Sequence, residues 1–311
     1  MTQELLKIRK STNNKNISTI LCFSLSIALI IFGEDIRLGI YNGFLFSIKT
    51  IIPTLFPFFI LADLWISVYS INSEGQISRI FSRLFGVNGD GLCALISGII
   101  CGFPIGVKIA SDLYNDGRIT KDELQTLCGF SSNPSIAFVI SGVGIGILND
   151  LELGLLLCFS TVMSSLMVGV VFKNKGEVSK KTGDIQRQRF NIVNSIRSAG
   201  INSINVISCI VFFSGILELI NNVVDNDIIS AIVSPLFELS NAIQIISRTA
   251  SLNQTQMLTL IAFSLGFSGL SVHLQSFAFL PKEFSRRKYL ITKLFQGLFS
   301  CIITRILLFF K

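Results

Sequence analysis

Charged residues are scarce in this sequence, and their scarcity indicates the class of protein. Only 14% of the 311 residues are Asp, Glu, Lys or Arg, whereas a soluble globular domain has about 25%. Half of the residues are apolar, and the mean hydropathy is +0.65. A soluble protein of this length needs more polar surface, so the sequence predicts an integral membrane protein. The net charge of +7 lies in short loops between apolar runs, which favours membrane orientation over nucleic-acid binding.

Groups that catalyse reactions or hold metals are also scarce. His273 is the one histidine, and the seven cysteines form no Cys-x-x-Cys pair, so we expect neither a metal site nor a cofactor. The sequence has no Gly-x-Ser-x-Gly elbow, no His-Glu-x-x-His run and no phosphate-binding loop. Asp122 and Glu123 are adjacent acids, but their hydrophilic turn indicates a solvated surface. We therefore expect that the protein is not an enzyme.

Long apolar segments are what the sequence has instead. Four basic residues before position 16 precede an apolar run over 17–32, and no small-residue cleavage site follows it. This pattern predicts an uncleaved N-terminal anchor helix within residues 1–35. Several later segments have the roughly 20 apolar residues that a membrane crossing needs. The apolar segments lie at about 51–71, 91–110, 125–148, 151–172, 204–220, 228–246, 257–280 and 290–310.

Two of these segments predict re-entrant hairpins rather than crossings. Gly102, Phe103 and Pro104 interrupt the first of them, and glycine and proline both weaken a helix. Each arm then has about ten residues, too short for roughly 30 Å of hydrocarbon. We therefore predict a hairpin over 91–115. A second hairpin is predicted over 228–251, where Ser234-Pro235 and a polar patch beginning at Glu238 break the apolar run.

Two further segments predict broken helices. The segment 119–148 contains the polar run Ser-Ser-Asn-Pro-Ser at 131–135, and the segment 255–281 contains Gly-Phe-Ser-Gly at 266–269. A break that faced lipid would leave backbone groups without hydrogen bonds, so broken helices at membrane depth usually line a cavity.

The same order of elements recurs in two parts of the chain, 36–172 and 198–311. Each part reads helix, hairpin, broken helix, helix. The loop 173–197 has seven basic residues against two acids and is predicted to be cytoplasmic, whereas the acidic loop near Asp225 is predicted to be external. With two hairpins, this gives about seven transmembrane helices, a cytoplasmic N-terminus, an external C-terminus and two inverted repeats. Inverted repeats with paired broken helices are typical of secondary transporters, whose site lies at the repeat interface.

Two motifs resemble a known family. Residues 102–108 read Gly-Phe-Pro-Ile-Gly-Val-Lys, and residues 266–275 read Gly-Phe-Ser-Gly-Leu-Ser-Val-His-Leu-Gln. Together with Leu-Phe-Pro-Phe at 55–58, they resemble the sporulation integral membrane proteins of the YlbJ/SpoVV type over roughly residues 36–310. That family carries the nucleoside recognition Gate domain and is similar in layout to concentrative nucleoside transporters.

The resemblance implies an all-α, multi-pass, transporter-like fold and a function. For the sporulation branch it implies export of dipicolinate, which fits a secondary transporter of a small anionic or heteroaromatic metabolite that works by alternating access. Two alternatives stay open: a nucleoside-type transporter paralogue, and a non-transporting scaffold membrane protein in spore-envelope assembly. A coupling ion, Na⁺ or H⁺, and a homo-oligomer are also left open, beside the lipid bilayer and the small-molecule substrate as partners.

The candidate substrate-binding residues come from the hairpins and the helix breaks. A lysine at membrane depth is unfavourable unless paired or wetted, so Lys108 is predicted to compensate the charge of an anionic ligand, with snorkelling as the alternative. His273 is predicted to pair with a carboxylate or carry protons, with a core histidine as the alternative. The predicted substrate-binding residues are Gly102, Phe103, Pro104, Gly106, Lys108, Ser131, Ser132, Asn133, Glu238, Ser240, Asn241, Ser268, Gly269, His273 and Gln275.

Each polar group in this set also has a plainer interpretation. The serines and asparagine at 131–133 could make hydrogen bonds between helices, as polar residues in membranes commonly do. Glu238, Ser240 and Asn241 could belong to a solvated external loop. Asp63 and Glu218 occupy matched positions in the two repeats and could cap helix ends near the interface.

Overall fold

The computed structural model describes residues 19–20, 23–24, 26–27, 30–68, 75–179, 191–224 and 226–310. Every regular element among these residues is a helix, so the all-α prediction is confirmed. Most of the predicted anchor over 1–35, residues 180–190 of the basic loop and Asp225 lie outside the described residues.

In the first half of the described chain, two π-helical segments lie among seven α-helices. A π-helical segment, Ser47–Ile51, joins α1 to α2, and a second one, Phe138–Ile147, precedes α7. The helices are α1 (Gly33–Phe46), α2 (Ile52–Val68), α3 (Gln76–Phe85), α4 (Gly91–Ile100), α5 (Ile105–Asn115), α6 (Lys121–Ser131) and α7 (Leu151–Val171).

The second half begins with the longest described helix. A short 3₁₀ turn, Ser234–Leu236, separates α9 from α10. The helices are α8 (Ile192–Val223), α9 (Asp227–Val233), α10 (Leu239–Arg248), α11 (Gln254–Phe267), α12 (Gly269–Phe277) and α13 (Arg286–Phe309).

Polar caps begin several of these helices. The Thr120 side chain accepts from the Glu123 amide while the Glu123 carboxylate accepts from the Thr120 amide. Asp150 accepts from the amide of Leu153 at the start of α7, and Asn253 forms a capping box at the start of α11. Such side chains satisfy amide groups that have no partner within the helix, which is why the helices begin where they do.

Four described helical stretches are long and apolar enough to cross a membrane: Leu151–Val171, Ile192–Asn222, Gln254–Phe277 and Arg286–Phe309. Large apolar side chains point outward from them, for example Ile204 and Phe309. A lipid bilayer is the environment in which such an apolar exterior is stable. The protein is therefore an all-α integral membrane protein. The count of about seven crossings and the inverted relation of the halves stay predictions.

A helical hairpin and a helix break occur in each half. The first hairpin is α4 and α5, which pack against each other around a turn at 101–104, and the first break is residues 132–135 after α6. The second hairpin is α9, the 3₁₀ turn and α10. The second break is Ser268 between α11 and α12, whose φ of 78° is left-handed. In both halves a long helix, α7 or α13, follows.

Glycine is required in the turn of the first hairpin. Gly102 has a φ of 85°, which side-chain-bearing residues rarely adopt. A Cβ there would also lie 2.8 Å from the Ser135 amide nitrogen. The turn therefore lies directly on the residue that ends the first break.

A buried polar cluster joins the loops at one end of the first half. Glu123 is 0% exposed, and its Oε1 accepts from the amides of Asn88 (2.7 Å) and Ser179 (3.2 Å). Nearby, Arg118 and Asp90 form a buried ion pair at 2.9 Å. The expectation of a solvated acid pair was therefore wrong for Glu123, because three separate segments cover it, while Asp122 is exposed.

Candidate functional site

A cavity of about 730 Å³ lies among the hairpin turns and the broken helices. This size is within the range of about 300–1,000 Å³ that small-molecule sites have. The cavity is therefore the candidate site. Its lining from the first half includes Gly102, Phe103, Pro134 and Ser135, and its lining from the second half includes Glu238, Ser240, Val272 and Gln275.

One side of the cavity is polar because a face of α10 is polar. Ser240, Gln244, Ser247 and Arg248 all line the cavity, and their spacing of three to four residues places them on one face of a helix. Of the residues that line the cavity in the described part of the chain, Arg248 carries the positive charge. Sequence analysis missed Gln244, Ser247 and Arg248, although this helical spacing was visible.

The rest of the lining is largely apolar and partly aromatic. Phe46, Ile51 and Leu55 contribute from the α1–α2 region, and Val206 and Ile210 contribute from α8. Phe103 and Phe138 add aromatic rings from the first half. A ligand that combines an apolar ring with polar or anionic groups matches this lining.

Glu238 and Asn241 hold the second hairpin in place. The Glu238 carboxylate accepts from the amides of Ser240 (3.0 Å) and Asn241 (2.7 Å), so it caps α10. The side-chain Nδ2 of Asn241 donates to Ser214 Oγ on α8 at 3.1 Å. Glu238 is 3% exposed, so the alternative of a solvated loop does not describe it.

The turn of each hairpin contacts the second part of the broken helix in its own half. The first turn meets Ser135 at Gly102. In the second half, the Ser271 amide donates to the Phe237 carbonyl at 2.8 Å, and Gly269 packs on the same carbonyl. The hairpins are thus tied to the breaks, and Ser268 and Gly269 lie behind the cavity lining rather than in it.

The structure places Lys108 in an ion-pair cluster away from the cavity lining. Its Nζ lies 2.6 Å from Asp63 Oδ1 on α2 and 3.0 Å from Asp112 Oδ2 on α5. Two carboxylates therefore compensate its charge and connect the first hairpin to α2. A role for Lys108 in substrate binding stays a prediction. Pro104 and Gly106, also predicted, are buried in the same hairpin outside the lining.

Side chains from α13 satisfy the polar groups of the first break. Lys293 Nζ donates to the Ser132 carbonyl and to Gln296 Oε1, both at 2.6 Å. Gln296 Nε2 donates to Asn133 Oδ1 at 2.8 Å, and Asn133 Nδ2 donates to the Phe130 carbonyl at 2.8 Å. Hydrogen bonding between helices therefore describes Ser132 and Asn133, while Pro134 and Ser135 beside them line the cavity.

Helix α13 also contacts α12, the second part of the second broken helix. Tyr289 donates to Ser132 Oγ at 3.1 Å and lies 3.4 Å from Ser276 Oγ on α12. Sequence analysis missed Tyr289, Lys293 and Gln296. A lysine and a glutamine in the middle of a long, mainly apolar segment were the available signal.

His273 is a buried ring without a hydrogen-bond partner. It is 0% exposed, and neither ring nitrogen has a partner among the described residues. Its ring packs edge-on against Phe267 (4.9 Å) and Tyr289 (5.4 Å). The carboxylate partner expected from the sequence is not formed within the described residues. Gln275, two residues on, does line the cavity and donates to Ser271 Oγ at 3.3 Å.

Comparison with curated proteins finds the sporulation integral membrane protein YlbJ of Bacillus subtilis (strain 168). The two chains are 24% identical, and the match covers 83% of this chain and 74% of the relative. No protein-family model and no solved structure matches the chain. The resemblance that the hairpin and break motifs indicated is therefore confirmed, and the chain is an integral membrane protein similar to the YlbJ type of sporulation proteins.

Proposed function

We propose that the protein is a secondary transporter that moves a small anionic or heteroaromatic metabolite through the cavity by alternating access. The observation that supports the proposal is the composition of the cavity lining, which combines both hairpins with the first break and with the helix that follows the second break. Irregular backbone at membrane depth is stable only where protein or a water-filled cavity covers it. Paired breaks around one cavity are the arrangement by which many transporters bind solute between two repeats.

The lining favours an aromatic anion as the solute. A flat ring fits against Phe103 and Phe138, while Arg248 and Gln244 in the same lining offer donors to a carboxylate. Arginine binds carboxylates through a planar fork of N–H groups. Dipicolinate, a pyridine ring with two carboxylates, has this combination, so we propose it as the solute and export during sporulation as the role. A neutral nucleoside would form no ion pair with Arg248.

A transport assay of the Arg248→Gln variant tests the identity of the solute. In proteoliposomes of the full chain, we expect uptake of dipicolinate to fall by about ten- to a hundredfold, because one charge-assisted hydrogen bond contributes about 1.5–3 kcal/mol. Gln275→Leu should also lower uptake, whereas Arg287→Gln, at an exposed arginine of α13, should not. Uptake of uridine that is insensitive to Arg248→Gln would indicate the nucleoside-type paralogue. Absence of uptake for every solute in the screen would indicate the scaffold protein.

Loop charge also supports a proposed orientation, with seven crossings, inverted repeats and a cytoplasmic N-terminus. In a cysteine-free variant, we expect an impermeant maleimide added outside the cell to label Asp227→Cys and not Gly176→Cys. Both positions are exposed, and Gly176 belongs to the basic loop that the charge bias places inside. Asp227 is preferable to Asn226, whose side chain caps α9. The reverse labelling pattern would contradict the orientation.

A further inference from the structure

Lys293 is a fully buried cation that forms no ion pair with a carboxylate of the residues the structure describes. It is 0% exposed, and the ion pairs among the described residues involve Lys108 and Arg118 instead. Its ammonium donates to two neutral oxygens, the Ser132 carbonyl and Gln296 Oε1. A buried charge without an opposite charge is strongly unfavourable relative to its neutral form. Lys293 is therefore a group for which losing and regaining a proton is chemically accessible.

The position of Lys293 links its proton to the geometry of the first break. The Ser132 carbonyl belongs to the C-terminal end of α6, where the helix dipole places partial negative charge. A hydrogen bond from an ammonium is about twice as strong as one from a neutral amine. The protonated side chain thus holds α13 firmly on the break, and loss of the proton loosens that contact. Because Pro134 and Ser135 follow directly and line the cavity, a shift of the break changes the cavity.

The titratable groups around Lys293 supply no counter-charge. His273 on α12 lies within electrostatic reach of it, Tyr289 is one turn before it on α13, and Cys128 on α6 lies near Tyr289. The charged residues of α6 are at its beginning, away from the break. Helix α11 has no titratable residue.

The last neighbouring helix, α7, is equally without charge near Lys293. Its titratable residues, Glu152 and Cys158, lie towards its beginning, whereas Phe172 just after its end packs on Phe295 at 5.3 Å. His273, whose ring nitrogens have no hydrogen-bond partner within the described part of the chain, and Lys293 would repel each other if both were protonated. Protonation of either Lys293 or His273 alone is therefore more favourable than protonation of both.

We propose that Lys293 is the proton-binding site that couples solute movement to a proton gradient. The ammonium forms while the first break is held against α13. When the break shifts and water reaches it from the cavity, one N–H bond breaks, the amine keeps the electron pair and the proton passes to water. This inference rests on the proposed transport function, and it assigns the coupling ion as H⁺.

Gradient-driven uptake in proteoliposomes tests the coupling, with dipicolinate as the probe and protein-free liposomes as the baseline. We expect a pH gradient to drive accumulation by the wild type. Lys293→Arg keeps a permanent charge, and Lys293→Gln has no proton to bind. Both variants should lose gradient-driven accumulation. Lys293→Arg, which keeps a charged donor beside the break, should keep counterflow exchange of dipicolinate, which needs no net proton movement. Lys288→Gln, at an exposed lysine of the same helix, should keep both activities. Gradient-driven accumulation that persists in Lys293→Arg and Lys293→Gln, or accumulation driven by Na⁺ alone, would overturn the assignment.

A second measurement needs no transported solute. The melting temperature of the purified full chain is followed from about pH 5 to about pH 9, the range in which buried lysines titrate. We expect the difference between the wild type and Lys293→Arg to change with pH, and the difference between the wild type and Lys288→Gln to stay constant. If Lys293→Arg is not recovered as monodisperse protein, Lys293→Gln replaces it. A constant difference for the Lys293 variant overturns the proton site. Absence of any counterflow by the wild type would instead contradict the proposed transport function.

Discussion

Gly98→Ala and Gly106→Ala should each prevent the first hairpin from packing on the end of α6. A Cβ at either position would lie well inside 3.0 Å of the Ser131 carbonyl oxygen. That oxygen belongs to the backbone beside the first break, so it has less freedom to move than the end of a side chain. Overpacking typically costs about 1–3 kcal/mol, and more where the structure cannot relax. We therefore expect a large loss of thermal stability and of monodisperse full-length protein.

Gly200→Ala is the matched control for these two variants. A Cβ at Gly200, within α8, would have no atom within 4 Å. Alanine in a helix interior is more favourable than glycine by about 0.5–1 kcal/mol, so this variant should be as stable as the wild type or slightly more stable. A Gly98→Ala protein that melts at the wild-type temperature would show that the hairpin does not pack on α6 in this way.

Arg118→Leu should be the other strongly destabilising substitution. The guanidinium meets both oxygens of Asp90 at 2.9 Å, and the two side chains are 4% and 9% exposed. Removal of the arginine leaves the carboxylate buried without its counter-charge. Breaking a buried ion pair from one side costs about 3–5 kcal/mol. We expect thermal unfolding of the full chain to move to a markedly lower temperature.

A double substitution separates loss of the pair from loss of packing. Arg118→Leu combined with Asp90→Leu removes both charges, so it should recover part of the stability that Arg118→Leu alone loses. Arg79→Leu, at an exposed arginine of α3, controls for the general loss of a cation. If the double variant is no more stable than Arg118→Leu, the buried carboxylate is not the cause of the loss.

The local breaks and helix starts follow from nearby residues alone. Pro104 cannot donate a backbone hydrogen bond and Gly102 reaches a left-handed φ, and the turn at 101–104 contains both. Thr120 and Asp150 cap helices that begin one residue later. These effects act over one helical turn, so they can be predicted without knowledge of how the helices pack together.

The partners of the polar side chains could not be predicted in the same way. The sequence predicts that Lys108 compensates a ligand charge, and it does not indicate that Asp63 from α2 pairs with Lys108. Lys293 and Gln296 are more than 150 residues away from the break that they satisfy. Such contacts depend on which faces of distant helices pack together, and hydrophobic patterning is a poor guide in a membrane, where lipid-facing and protein-facing residues can both be apolar.

The sequence by itself determined the class of this protein and the places where its helices stop. Low charge, long apolar runs and embedded glycines and prolines require a helical membrane protein with interrupted segments, because unsatisfied backbone groups are not stable in lipid. Only the tertiary structure decided which residues of these interruptions line the cavity and which form hydrogen bonds with side chains of other helices. Pro134 lines the cavity, whereas Asn133, one residue earlier, bonds to Gln296. The reason is geometric. At a break in a helix, adjacent residues point in different directions, and the neighbours that they meet come from distant parts of the chain.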